Sequence, residues 1–182
     1  MSTDAKILLK FANVQMAAEA LFTFRSGSED SNASPGTVRE YRSAAAIRDH
    51  LVEGNTRASK FTTTQATEFS QLWEVVEHKS NTTTGFSGTL FRARAGASAE
   101  LLQKHGVTEG ELVLSFRSTE FADDAARDNE ATNDLEIKQK GWAFGQIADM
   151  EDWYAGLRTS GKIAPGESFS VTGMRPAGRK VD

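Results

Sequence analysis

The side chains that titrate nearest neutral pH are the three histidines, His50, His78 and His105. They stand far apart, and none pairs with an acid or a second His at metal-ligand spacing. A surface or helix-end role is expected for each, with His105 beside Gly106 at a helix C-terminus, where a cation is favoured. Carboxylates crowd into Asp123-Asp124, Asp128-Asn129-Glu130 and Asp149-Met150-Glu151-Asp152. A calcium loop needs alternating ligands around a Gly turn, which none of these runs has, so they read as solvated faces and no metal site is assigned. Asp149 and Asp152 share a helix face at i and i+3, which makes a metal-dependent enzyme the lowest-ranked reading. Arginines mix with aromatics in Phe91-Arg92-Ala93-Arg94 and Phe116-Arg117, as an anion site or, more simply in an acidic chain, as partners of local carboxylates. The run from Gly173 to Lys180 has only the glycine spacing of a phosphate loop: Arg179 stands where Lys belongs, and no Ser or Thr follows. No cofactor motif emerges.

The elements that must position these groups follow from periodicity. Ile7, Phe11, Val14, Ala18 and Leu21 form one stripe of a first helix, which stops before the turn-rich stretch from Ser26 to Gly36. Val38, Tyr41, Ala45 and Leu51 predict a second helix with Gly54 as its stop, and a third begins near Thr64 and carries Phe69 and Leu72 inward. The period then changes. Trp73 to Lys79 and Phe86 to Arg94 read as a hairpin about Asn81-Thr82-Thr83-Thr84-Gly85. Neither face of the second strand is cleanly apolar. Ser98 to His105 is a short capped helix, and Leu112 to Phe116 is the most buried-looking strand. Asp123 to Asn133 is a loop or solvated helix. Trp142 to Leu157 is a helix with Phe144, Ile147, Met150 or Glu151, Tyr154 and Leu157 on or near one face, and Ser168 to Thr172 is a last strand. The fold class is α/β, a mixed sheet with flanking helices.

Composition narrows the function. With 182 residues the chain suits about one domain with a real core. Twenty-one Lys and Arg against 25 Asp and Glu leave a net charge of −4, which argues against a dedicated nucleic-acid surface. The absence of Cys removes disulfides, Cys-ligated zinc, iron–sulfur clusters and thiol nucleophiles together. No stretch approaches a membrane span, and Ile7-Leu8-Leu9-Lys10-Phe11 lacks the flanks of a signal peptide. A soluble protein is expected, cytoplasmic or exported without an N-terminal signal.

One constellation is more informative than any single motif. A buried strand ends in Phe116-Arg117-Ser118-Thr119-Glu120; a helix opening with Gly141-Trp142-Ala143-Phe144-Gly145 follows; then comes Phe169-Ser170-Val171-Thr172-Gly173. With Gly85-Phe86-Ser87-Gly88-Thr89-Leu90-Phe91 and Gly110-Glu111-Leu112-Val113-Leu114 before it, this order resembles the front half of the class 3 lipases and their relatives. These are lipase-like serine hydrolases of the α/β-hydrolase fold. The resemblance covers about residues 61–173 and implies a helical region over 1–60, a partial α/β-hydrolase-like core over 61–173 and an aberrant tail over 174–182.

In that family a strand ending in Phe-Arg-Gly-Thr leads into the oxyanion hole, and a later Val-Thr-Gly strand runs into the nucleophile elbow. The resemblance therefore marks Thr119 as a donor to a developing oxyanion through its N–H and hydroxyl, with Ser118 in place of the usual Gly. The same two residues also suit a cap on the next segment. After Val171-Thr172-Gly173 the chain reads Met174-Arg175-Pro176-Ala177-Gly178, with no Ser beyond Ser170, and every His precedes the elbow. The triad order Ser, acid, His is thus unfilled, and the tail reads as a truncation or frameshift. Intact relatives would hydrolyse carboxylic esters or lipids through an acyl-enzyme; this chain is expected to be inactive. The rival expectation is a non-catalytic module that self-associates through an uncovered sheet edge.

Overall fold

A computed structural model describes residues 2–20, 41–54, 60–80, 82–117 and 136–173. The helices start where polar side chains cap free backbone donors. Ser2 opens α1 (Thr3–Ala18), Ser43 opens α2 (Ala44–Glu53), and Thr62 with Gln65 makes a reciprocal capping box on α3 (Thr63–Leu72). Ser98 does the same for α4 (Ala99–His105), which Gly106 ends in the left-handed conformation. A single turn, Lys138–Lys140, precedes α5 (Phe144–Thr159).

The strands β1 (Trp73–Lys79), β2 (Gly88–Ala93), β3 (Leu112–Phe116) and β4 (Phe169–Gly173) form one sheet in the order β1-β2-β3-β4. The first two pairings are antiparallel and the third is parallel, so the sheet is mixed, as the alternation of helix and strand patterns predicts. A parallel pair needs a long crossover, and α5 lies within it.

Two cores result. On one face Leu90, Leu112 and Leu114 pack with Trp153, Leu157 and Ile163. On the other, Val14, Ile47, Leu51, Phe69, Phe91 and Val113 join α1, α2 and α3 to the sheet. Gly88 lets α5 approach closely: a Cβ there would come within 2.6 Å of the Trp153 ring.

Several helix registers differ from the periodicity. The buried side of α1 is Lys10, Val14, Ala17 and Ala18, and Ile7 is exposed. Lys10 is inward because its ammonium meets the half-buried Glu111 carboxylate at 2.6 Å, which offsets the cost of burying its charge. In α5, Trp153 and Leu157 are the buried residues, whereas Phe144 is 54% exposed. Tyr41 lies ahead of α2 rather than within it, yet is buried. Leu21, Val38 and the segment from Asp123 to Asn133 lie outside the described residues. No described helix is long and apolar enough to cross a membrane.

Candidate functional site

Side chains alternate across a strand, so cross-strand partners share a face. On the face covered by α1, α2 and α3, one row of partners is apolar: Val75, Phe91 and Val113. The next row is polar and crosses all four strands: His78, Thr89, Ser115 and Thr172. His78 Nδ1 lies 2.9 Å from Thr89 Oγ1. Thr172 Oγ1 donates to Ser115 Oγ at 2.6 Å, and Ser115 Oγ donates to Gln15 Oε1 at 3.1 Å. Gln15 Nε2 then donates to the Phe116 carbonyl at 2.9 Å and to the Glu19 carboxylate. One side chain of α1 thereby grips the carboxyl ends of β3 and β4 together. A buried hydroxyl left without a partner costs about 1–3 kcal/mol, so this network fixes the strand ends rather than merely decorating them.

His78 reaches the row through an irregularity. The β1 register shifts between Val75 and Glu77, so an extra residue enters one strand and the facing of every later side chain reverses. Without that bulge Glu77 would point at the helices; with it Glu77 turns to the α5 face and pairs with Lys162. His78 is 4% exposed within β1, which corrects the surface or helix-end role expected of it, whereas His50 does sit in the last turn of α2, buried at 6% exposure. Burial first, then the Arg117 and His50 charges, lowers His78 to about 3, and it is neutral at ordinary pH. His105 does sit at a helix end, where its Nε2 lies 2.8 Å from Glu68 Oε2. Lys104 foremost, with His105, holds the Glu68 carboxyl below its ordinary range, against an opposing push from burial.

Gly173 stands opposite Phe116 in the parallel pair. Ser118 and Thr119, assigned to the oxyanion turn by resemblance, lie outside the described residues, as does the tail from Met174. The other candidates have structural partners. Arg92 donates to the Lys162 carbonyl and faces Glu167; Arg94 donates to the Ser70 and Trp73 carbonyls and faces Glu74. Asp149 accepts from Thr84 Oγ1 at 2.5 Å, and the Thr82 and Thr84 hydroxyls hold its carboxyl below the usual range. It ties α5 to the hairpin turn, and Asp152 is exposed. No group of three or more metal-ligating His, Asp or Glu occurs among the described residues.

Sequence reasoning missed Gln15, Thr89, Ser115 and Thr172 as a unit. The available signal was a hydroxyl residue within a largely apolar strand, Ser115 between Leu114 and Phe116 and Thr89 between Gly88 and Leu90. No family model, curated protein or solved structure matches the chain, and its functional reading rests on the geometry at the carboxyl ends of β3 and β4.

Proposed function

We propose that the chain carries the oxyanion side of a lipase-like serine hydrolase domain and, as its residues stand, turns over no ester alone. The observation that supports this reading most is the parallel pairing of β3 with β4, with Phe116 opposite Gly173. Ligands of open α/β sheets bind beyond the carboxyl ends of the strands, where backbone donors of a following turn meet developing negative charge. In this reading Thr119 supplies such a donor, and the segment after Gly173 occupies the place of the nucleophile elbow without a Ser. Ser115 is no substitute. It is fully buried, it donates to Gln15, and Thr89 stands between it and His78 in the sheet.

The test is hydrolysis of a short-chain nitrophenyl ester by the purified chain and by Thr119→Pro. The expected rate is that of buffer for both. Saturable turnover that disappears in Thr119→Pro would contradict the proposal.

A second reading, a self-associating module, is favoured by one observation. Among the described residues β4 is the last strand of the sheet, and its Val171 is 57% exposed. Light scattering should then show a dimer or larger species that Val171→Lys returns to monomer; a monomeric parent chain removes this reading.

A further inference from the structure

α1, α2, α3 and α5 each bury apolar side chains, whereas α4 buries none. Its Leu101 and Leu102 reach only the margin of the core that α1, α2 and α3 share. Polar ties hold it there instead. Lys6 of α1 donates to the Gln103 carbonyl at 2.8 Å, and Glu68 of α3 receives Lys104 at 2.6 Å and His105 at 2.8 Å. Glycines with positive φ flank the helix, Gly96 at 75° and Gly106 at 63°.

Between α1 and α3 lies a cavity of about 30 Å³, walled by Asn13, Phe69, Leu72 and Trp73 and closed on one side by His105 and Val107. That volume holds about one or two water molecules and nothing larger. We propose that α4 is a hinged cover on this cavity, which swings as a unit about Gly96 and Gly106 ahead of wider unfolding, with the Glu68 carboxylate as its latch. The cover is separate from the candidate site: α4 connects Ala93 of β2 to Leu112 of β3, at the end of the sheet opposite Phe116 and Gly173.

Partly exposed charge pairs contribute little each and weaken with salt. β3, by contrast, is paired on both sides and buried from Leu112 to Ser115. Local opening takes the element with the fewest buried contacts, which here is α4. Both cations of α4 share one carboxylate, so loss of that charge releases them together. Movement of His105 off the cavity then gives molecules larger than water a path to Leu72 and Trp73, each 2% exposed in the closed form.

The chain has no cysteine, so Leu72→Cys places a single thiol on the cavity wall. The test follows its labelling by a small disulfide reagent, and hydrogen exchange from Leu102 to Gly106, with and without Glu68→Gln. Gln has nearly the helix propensity of Glu, so α3 keeps its form while the latch loses its charge. Both rates are expected to rise about threefold or more in Glu68→Gln, while exchange of β3 stays at the level of the parent chain. Lys104→Met should give a smaller rise, and no further rise when combined with Glu68→Gln. If Leu72→Cys does not fold, hydrogen exchange of the cysteine-free variants decides. Exchange from Leu102 to Gly106 as slow as that of β3, equal acceleration of β3, or thiol labelling that Glu68→Gln leaves unchanged would overturn the proposal.

Discussion

The two faces of the sheet are built on different principles. Toward α5 the sheet offers Leu90, Leu112, Leu114 and Phe116, met by Trp153, Leu157 and Ile163, and the centre of that contact is packing, with the Glu77–Lys162 and Arg92–Glu167 pairs at its margin. Toward α1, α2 and α3 an apolar row of Val75, Phe91 and Val113 lies beside a polar row of two hydrogen-bonded pairs, His78 with Thr89 and Ser115 with Thr172. Packing is less sensitive to direction than hydrogen bonding, which requires donor and acceptor to be aligned. The difference explains why the second face sets the carboxyl ends of β3 and β4.

The largest effects should come from the packed face. Trp153→Ala removes the ring that fills the space over Gly88 and should cost about 3–5 kcal/mol in denaturant unfolding. Gly88→Ala drives a methyl into the same ring and should cost about 1–3 kcal/mol. Both losses should be independent of pH between 5 and 8. A loss that grows in acid would break the division between the faces.

The polar row comes next. Ser115→Ala removes a donor to Gln15 and an acceptor for Thr172, and should cost about 1–3 kcal/mol. Combined with Gln15→Ala in a double-mutant cycle, it should show a coupling of at least about 0.5 kcal/mol, because the two side chains act as one clamp. Strict additivity would mean that the row is a set of separate contacts.

Stability should also fall in acid, with a slope of up to about 1.4 kcal/mol per pH unit below pH 6.5 from His78, whose imidazole is excluded from protonation until about pH 3. Chemical denaturation at several pH values reads this, and His78→Gln should remove it. The smallest effect belongs to Asp149→Asn, which weakens the hairpin clasp by about 1 kcal/mol. Because the Asp149 pKa is lowered, the stability it contributes is present above its ordinary value of 3.8 and disappears as pH falls below it.

Much of this architecture was legible in the residues. The spans of β1 and β3, the caps at Ser98 and Gly106, and the stop at Gly54 follow from local chemistry that tertiary contacts leave intact. The helix faces were less so. In α1 the expected stripe holds at Phe11, Val14 and Ala18, but Lys10 turns inward while Ile7 is exposed, and the Glu111 partner that draws Lys10 in is a hundred residues away. The polar row was hidden for a similar reason. A single bulge reverses the facing of His78, and nothing local to β1 announces it. At the candidate site the strands and Gly173 were legible, whereas the Gln15 clamp depends on α1 meeting β3 across the fold.

The central claim is that Gln15, Ser115 and Thr172 hold the carboxyl ends of β3 and β4 side by side. Residue-resolved hydrogen exchange of Gln15→Ala tests it most directly. Exchange should accelerate at Ser115, Phe116, Thr172 and Gly173 while Leu112 and Val113 keep the protection of the parent chain. Uniform acceleration along both strands, or none at their carboxyl ends, would contradict the claim.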